Sequence, residues 1–284
     1  MKFRKFLSVL ATITISSMYF FTATVYAENS KAQELRDLIN SNKYYVEYEV
    51  NKKEDKRALA VDGNKRKSFD CEGRRSASIL RFVPIVGMFA KGDLKLSPEV
   101  FYDSNNYYQF IAKKVIIKAT PEELQDPYLN PAQDWNTVHK RIVLPEEFGM
   151  FTGDETIKFV ESGTTTDNGK KTISFDKYLK TIHNVKGANL AKRVYLVYYD
   201  EKNNPIKILT LTVDWDEDDT KILADELPKK VTERVYDIQE IKINKFTKEL
   251  PADVMKFPEG SKVYGPGLGN MDELLDSAPL LEQH

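Results

Sequence analysis

With 284 residues, 41% of them hydrophobic, the chain is long enough to bury a substantial core. Its 42 lysines and arginines are balanced by 43 aspartates and glutamates, so it lacks the basic excess that a nucleic-acid backbone selects, and no nucleic-acid partner is expected. A single cysteine, Cys71, excludes an internal disulfide; the fold must rest on its core, with Cys71 read as a buried small hydrophobe.

In chain order, Lys2, Arg4 and Lys5 precede an apolar run reaching Phe21, and small residues lead to Val25-Tyr26-Ala27. That order predicts a secretory signal at 1–27, cut after Ala27, and a periplasmic or extracellular mature protein. The alternative is an uncut anchor, for which roughly 17 residues is the short limit of a spanning helix. No Cys follows the run, so a lipid anchor on the new N-terminus is not expected. Cleavage removes three basic residues and no acidic one, leaving 39 against 43 and a formal net charge of −4.

Ser30 and Gln33 have capping-box spacing, and Ala32, Leu35, Leu38 and Ile39 share one helical face, which predicts a helix that opens the mature protein. Next, Val46, Tyr48 and Val50 alternate with Glu47 and Glu49, the period of a strand with one wet face. Turn residues then separate strand-like runs four times, at Asp62-Gly63-Asn64, Ser104-Asn105-Asn106, Asn168-Gly169 and Lys202 to Pro205. Sequential hairpins require antiparallel pairing. Thr120-Pro121-Glu122-Glu123 has the make-up of a helix start, and 134–142, 145–150 and 219–227 are read as short helices.

Three stretches carry functional readings beside plain ones. Lys65-Arg66-Lys67 and Arg74-Arg75, flanking Phe69 and Cys71, are read as the wet face of a hairpin arm; the alternative is contact with anionic headgroups or a phosphorylated ligand. The apolar run Ile79 to Ala90, broken by Pro84 and Gly87, is read as core with its centre nearer the surface. The alternative is a cavity flap whose Phe82 and Met88 touch a membrane transiently. In Val194 to Tyr199 both alternating sets are apolar or aromatic, so both faces of that strand are expected to be covered.

Signals for chemistry are absent. His139, His183 and His284 have no metal-ligand spacing, and there is no nucleophile elbow or P-loop. Catalytic, metal and cofactor residues are therefore expected to be none. Asp214 to Thr220 is the densest acidic run, but without the EF-hand order or its glycine it reads as a solvated strand end capping the next helix.

The closing stretch "RVYDIQEIKINKFTKELPADVMKFPEGSKVY" has a long strand, a turn after Pro251, then Phe257-Pro258, Gly260 and Val263. With the opening helix, "YYVEYEV" and the hairpin that follows, it resembles the ends of proteins with the outer-membrane lipoprotein carrier-like fold. About 72–190, Cys71 and the polar tail depart from that pattern. The resemblance implies an α+β domain over 28–264, followed by a polar tail over 265–284. In it a strongly curved antiparallel sheet, a half-barrel, holds helices in its concave side over an apolar cavity. Phe257, Pro258, Gly260 and Val263 are then closing positions, with Phe257 expected in the core and the last apolar pair docked.

Relatives of that family carry acyl chains or other lipids, and some sense or regulate in the envelope. The expectation is an exported, non-catalytic, monomeric binding protein whose ligand is a lipid, an acyl chain or another apolar molecule. Tyr48, Phe82, Met88, Tyr195, Val197 and Tyr199 are its candidate ligand-binding residues. The alternative is an envelope sensor or interaction module of the same fold, with a protein partner and a filled interior.

Overall fold

The computed structural model describes residues 32–51, 55–71, 96–112, 114–126, 135–167, 171–185, 188–214, 227 and 229–265. The signal segment, Ser30, Arg74-Arg75, the run Ile79 to Ala90, the Asn168-Gly169 tip, the acidic run beyond Asp214, nearly all of the proposed helix at 219–227 and the tail beyond Gly265 lie outside them.

Helix α1 spans 32–40. Six strands follow: β1 (Lys43–Val50), β2 (Lys56–Asp62), β3 (Lys65–Cys71), β4 (Leu96–Tyr102), β5 (Tyr107–Ala112) and β6 (Val115–Ala119). Short helices α2 (Pro121–Gln125) and α3 (Trp135–Arg141), a 3-10 turn at Glu146–Phe148 and α4 (Gly149–Thr152) come next. The rest is β7 (Lys158–Asp167), β8 (Lys171–Val185), β9 (Ala188–Tyr199), β10 (Pro205–Asp214), β11 (Val235–Thr247) and β12 (Lys262–Tyr264).

Among the described residues the strands form a single 12-stranded sheet in the order β12-β6-β5-β4-β3-β2-β1-β11-β10-β9-β8-β7. It is open, with β12 and β7 at its edges. Every pairing is antiparallel except β12 on β6. The described chain is thus mostly one large, strand-rich, open sheet with a few short helices. Its two runs of neighbouring hairpins meet where β1 lies beside β11, with Tyr45 opposite Thr247 and Val50 opposite Ile241.

Local chemistry places the turns. Gly63 takes the positive φ of the two-residue β2–β3 loop, at 61°, and Asn203 does so between β9 and β10, at 63°. The Asp200 carboxylate accepts from the Lys202 and Asn204 amides, both at 2.8 Å, fixing that turn locally. At α2 the Thr120 hydroxyl accepts from the Glu123 amide at 3.2 Å, and the Glu123 carboxylate accepts from the Thr120 amide at 2.8 Å.

Apolar residues cover both faces of the sheet. On one, α1 and residues 146–152 pack over β1, β2 and β8 to β11, while α2 and α3 cover Val100, Tyr107 and Ala119. On the other, Leu250, Val254 and Met255 of the closing segment lie over Tyr45, Ala58, Ala60 and Phe69. Strand β9 is the clearest case: Val194 to Tyr199 are all buried, with Val194, Leu196 and Tyr198 in clusters separate from that of Tyr195, Val197 and Tyr199. Cys71 is buried, its thiol 3.2 Å from the Lys56 carbonyl oxygen.

Two closing positions differ from expectation. Phe257 is not in the core: 36% exposed, it lies against Phe101, Tyr108 and Phe110, with ring centroids 5.1–6.0 Å apart. Val263 is 46% exposed: β12 adds to the sheet edge by backbone pairing, and among the described residues its side chain stays half open. The turn between them forms as its sequence dictates. The Ser261 amide donates to the Pro258 carbonyl at 3.1 Å, with Gly260 at φ 73°.

Candidate functional site

The helix-covered face is built from alternate residues of neighbouring strands. Tyr44, Val46 and Tyr48 of β1, Tyr195, Val197 and Tyr199 of β9, Ile208 of β10, and Ile241 and Ile243 of β11 form one cluster with Tyr178 of β8. Period-two alternation puts them on a common face, and antiparallel registers carry that face from strand to strand. Residues 146–152 lie over them. Phe148 meets Tyr48 edge-on at 5.7 Å, and Met150 and Phe151 are buried in the same cluster.

Four of the six residues expected to bind a ligand are therefore brought together: Tyr48, Tyr195, Val197 and Tyr199 are 5%, 1%, 0% and 0% exposed. Phe82 and Met88 lie outside the described residues. The lining also includes Tyr178 and the covering Phe148, Met150 and Phe151, which were not anticipated. Tyr178 was findable, since it shares the alternation of β8. Nothing in the sequence announced that 146–152 would fold back over the sheet.

Ion pairs fasten this cover at both ends. Glu146, just before the apolar residues, accepts from Arg193 Nη1 at 2.6 Å. Asp154, just after them, accepts from Lys180 Nζ at 2.7 Å. Hydrogen bonds from Lys180 and Thr156 hold the Asp154 carboxyl down at about 2. Lys180 and Arg193 are directly opposite one another on β8 and β9. Two cations thus sit side by side, each neutralised by an acid of the cover, with the Lys180 side chain 28% and that of Arg193 21% exposed. In addition, Arg36 Nε donates to the Met150 carbonyl at 2.9 Å, tying α1 to α4.

Below this rim the face stays polar. Arg193 Nε and Thr210 Oγ1 are buried without a hydrogen-bond partner among the described residues. Thr212 pairs with Arg193, and Thr210 with Tyr195. Glu147 is 6% exposed, and burial pushes its carboxyl pKa up, with Glu146 and Asp237 adding to the rise and Arg193 opposing it. Burial raises the Tyr195 hydroxyl to about 12 against the opposing effect of Arg193, which donates to it, so it stays neutral at physiological pH. Tyr199 is pushed up further by burial and then by Tyr178 and Asp176.

In the basic run on β3, Lys65 is exposed and Arg66 half-buried, and Lys67 alone departs from the expected wet face. Lys67 is 2% exposed. Its ammonium donates to the Lys256 carbonyl at 2.6 Å and sits 5.6, 6.0 and 5.3 Å from the ring centres of Phe69, Phe101 and Phe110. The closing segment covers what would otherwise be an exposed strand position, and the rings offer a negative π face to the cation. Burial lowers its pKa to about 8.

The remaining candidates do not converge on a reaction centre. His139 Nδ1 is 3.2 Å from the Tyr107 hydroxyl, His183 is exposed, and His284 lies outside the described residues. Among the described residues no three His, Cys, Asp or Glu side chains are grouped to hold a metal ion. No protein-family model matches the chain, and no curated protein matches it significantly.

Proposed function

We propose that this chain is an exported, non-catalytic binding protein that holds a lipid, an acyl chain or another apolar ligand between its sheet and the helices lying on it. The observation that carries this reading is the continuous aromatic and aliphatic lane of Tyr48, Tyr178, Tyr195, Val197, Tyr199, Ile208 and Ile241. Its cover over 146–152 is only seven residues long and held at its ends by partly exposed ion pairs. The ion pairs at its ends are individually weak, so what holds the cover is the burial of Phe148, Met150 and Phe151, which an apolar ligand in the lane would replace.

A strongly curved, half-barrel sheet fits this reading. Register shifts interrupt β1–β11, β10–β11, β10–β9, β3–β4, β5–β6 and β7–β8, and such irregularities bend and twist a sheet. The resemblance at both ends of the chain supports the same architecture, an envelope location and a leader at 1–27.

The second reading is an envelope sensor or interaction module with a filled interior. It is favoured by one observation: Phe148, Met150 and Phe151 already occupy the lane, leaving Tyr48, Tyr195, Val197 and Tyr199 at most 5% exposed. Organic extraction of the protein purified from its native envelope, followed by mass spectrometry, separates the two. A lipid in stoichiometric yield supports the first reading, whereas a lipid-free protein that co-purifies with a stoichiometric protein partner overturns it.

A further inference from the structure

The cover has the chemical make-up of the ligand it excludes. Glu146 supplies an anionic head on Arg193, and Phe148, Met150 and Phe151 supply the apolar body on the tyrosine lane. The receiving surface has the complementary order. Lys180 and Arg193 stand opposite each other at a partly exposed rim, and Tyr195, Val197 and Tyr199 lead away from it on the Arg193 strand.

Near the rim the buried Thr210 Oγ1 has no partner among the described residues, and Arg193, whose guanidinium bonds Glu146 and Tyr195, leaves Nε without a well-formed bond of its own. Buried donors are rarely left so. Thr210 is 4% exposed and pairs with Tyr195, whose hydroxyl accepts a hydrogen bond from Arg193. A rim with two cations, an unused Thr210 hydroxyl and an apolar lane behind it suits a head that is charged, compact and attached to a chain.

Resting on the apolar-ligand reading above, we propose that Lys180 and Arg193 form a headgroup subsite. It takes an amphiphile with an anionic carboxylate or phosphate head in place of Glu146 and Asp154. The two cover acids then act as competitors for that subsite. A carboxylate head replaces the charge of one of the two acids and a doubly ionised phosphate that of both, while the apolar body changes places with the chain.

The test uses the full chain, with cis-parinaric acid and its methyl ester as fluorescent probes that differ only in the charge of the head. Wild type is expected to bind the acid about tenfold more tightly than the ester, the order of a charge-assisted hydrogen bond. Glu146→Gln, at a residue whose side chain is 65% exposed, removes a competitor and is expected to tighten the acid about two- to fivefold. In the Lys180→Met/Arg193→Met double variant the acid-to-ester ratio is expected to fall to about one. Acetate, which has the head without the chain, is expected not to displace the acid at the same concentration.

Equal binding of acid and ester in wild type, with no gain in Glu146→Gln, overturns the headgroup subsite and leaves the apolar-ligand reading standing. Displacement by acetate alone overturns it as well, since the site would then be a simple anion site. If neither probe binds wild type or Glu146→Gln, the apolar-ligand reading itself falls. Should the double variant fail to fold, Glu146→Gln and the acid-to-ester comparison still decide the matter.

Discussion

Lys67 is the residue whose environment departs most from its sequence expectation, and it makes a signed prediction. Its pKa falls from 10.5 to about 8 because burial disfavours the ammonium. Between those values the unfolded chain still carries the proton while the folded chain has released it, so stability rises as pH rises through this window. Below about 8 both states are protonated and the full burial penalty remains. The gain is on the order of 1–3 kcal/mol, after allowing for the three rings that favour the cation. Denaturant midpoints from pH 7.5 to 10 are expected to climb more steeply in wild type than in Lys67→Met; parallel profiles would refute a buried, titrating Lys67. Phe257 gives a second residue-scale test. Because it is only partly covered, Phe257→Ala is expected to cost roughly 1–2 kcal/mol, below the ~3–5 of a fully buried Phe. Phe101→Ala, at a residue 7% exposed, is expected to cost more, and comparing their midpoints checks the ranking.

At the scale of elements, the closing segment works as a strap across the face opposite α1. Met255 reaches both apolar clusters there, the Lys256 carbonyl takes the Lys67 proton donor, and the Lys262 amide donates to the Lys114 carbonyl at 2.8 Å. The Gly260 turn sets the direction of that last contact. A Cβ at Gly260 would meet nothing closer than Lys114 Nζ at 3.4 Å, so the obstacle to Gly260→Ala is the φ of 73° and not a clash. The substitution is expected to cost about 1 kcal/mol and to speed amide exchange at Lys262. Exchange as slow as in wild type would show that β12 docks without the turn. Helix α2 offers a control of the opposite kind, since its capping box lies wholly within four consecutive residues. Thr120→Ala is expected to cost about 1 kcal/mol without altering the strap, measured by the same two methods.

On the scale of the whole molecule, everything depends on β1 lying beside β11, a pairing across almost the entire described chain. It unites two hairpin runs into one sheet, and its strands carry Val46, Tyr48, Ile241 and Ile243 into the main core. Native-state hydrogen exchange is expected to place the β1 and β11 amides at the global unfolding limit, with edge strands β7 and β12 opening far more readily. Independent exchange of the β1–β11 ladder would mean that the two runs are separable units. At the free edge, a register shift between Phe159 and Glu161 and the buried Lys177 facing Glu161 blunt β7 against further pairing, so light scattering at micromolar concentration is expected to find a monomer. What the sequence determined by itself was local. The turns at Gly63 and Asn203, the capping box at Thr120 and the doubly apolar alternation of Val194 to Tyr199 are set by φ preference, side-chain reach and period, all acting within a few residues. Only the tertiary structure decided that 146–152 covers the tyrosine lane, that Lys180 and Arg193 become neighbours paired with Glu146 and Asp154, and that Lys67 is enclosed while Phe257 is not. Those outcomes depend on contacts between segments far apart in the chain. Whether a charged side chain meets water or a ring is fixed by what lands on it, and no local preference encodes that.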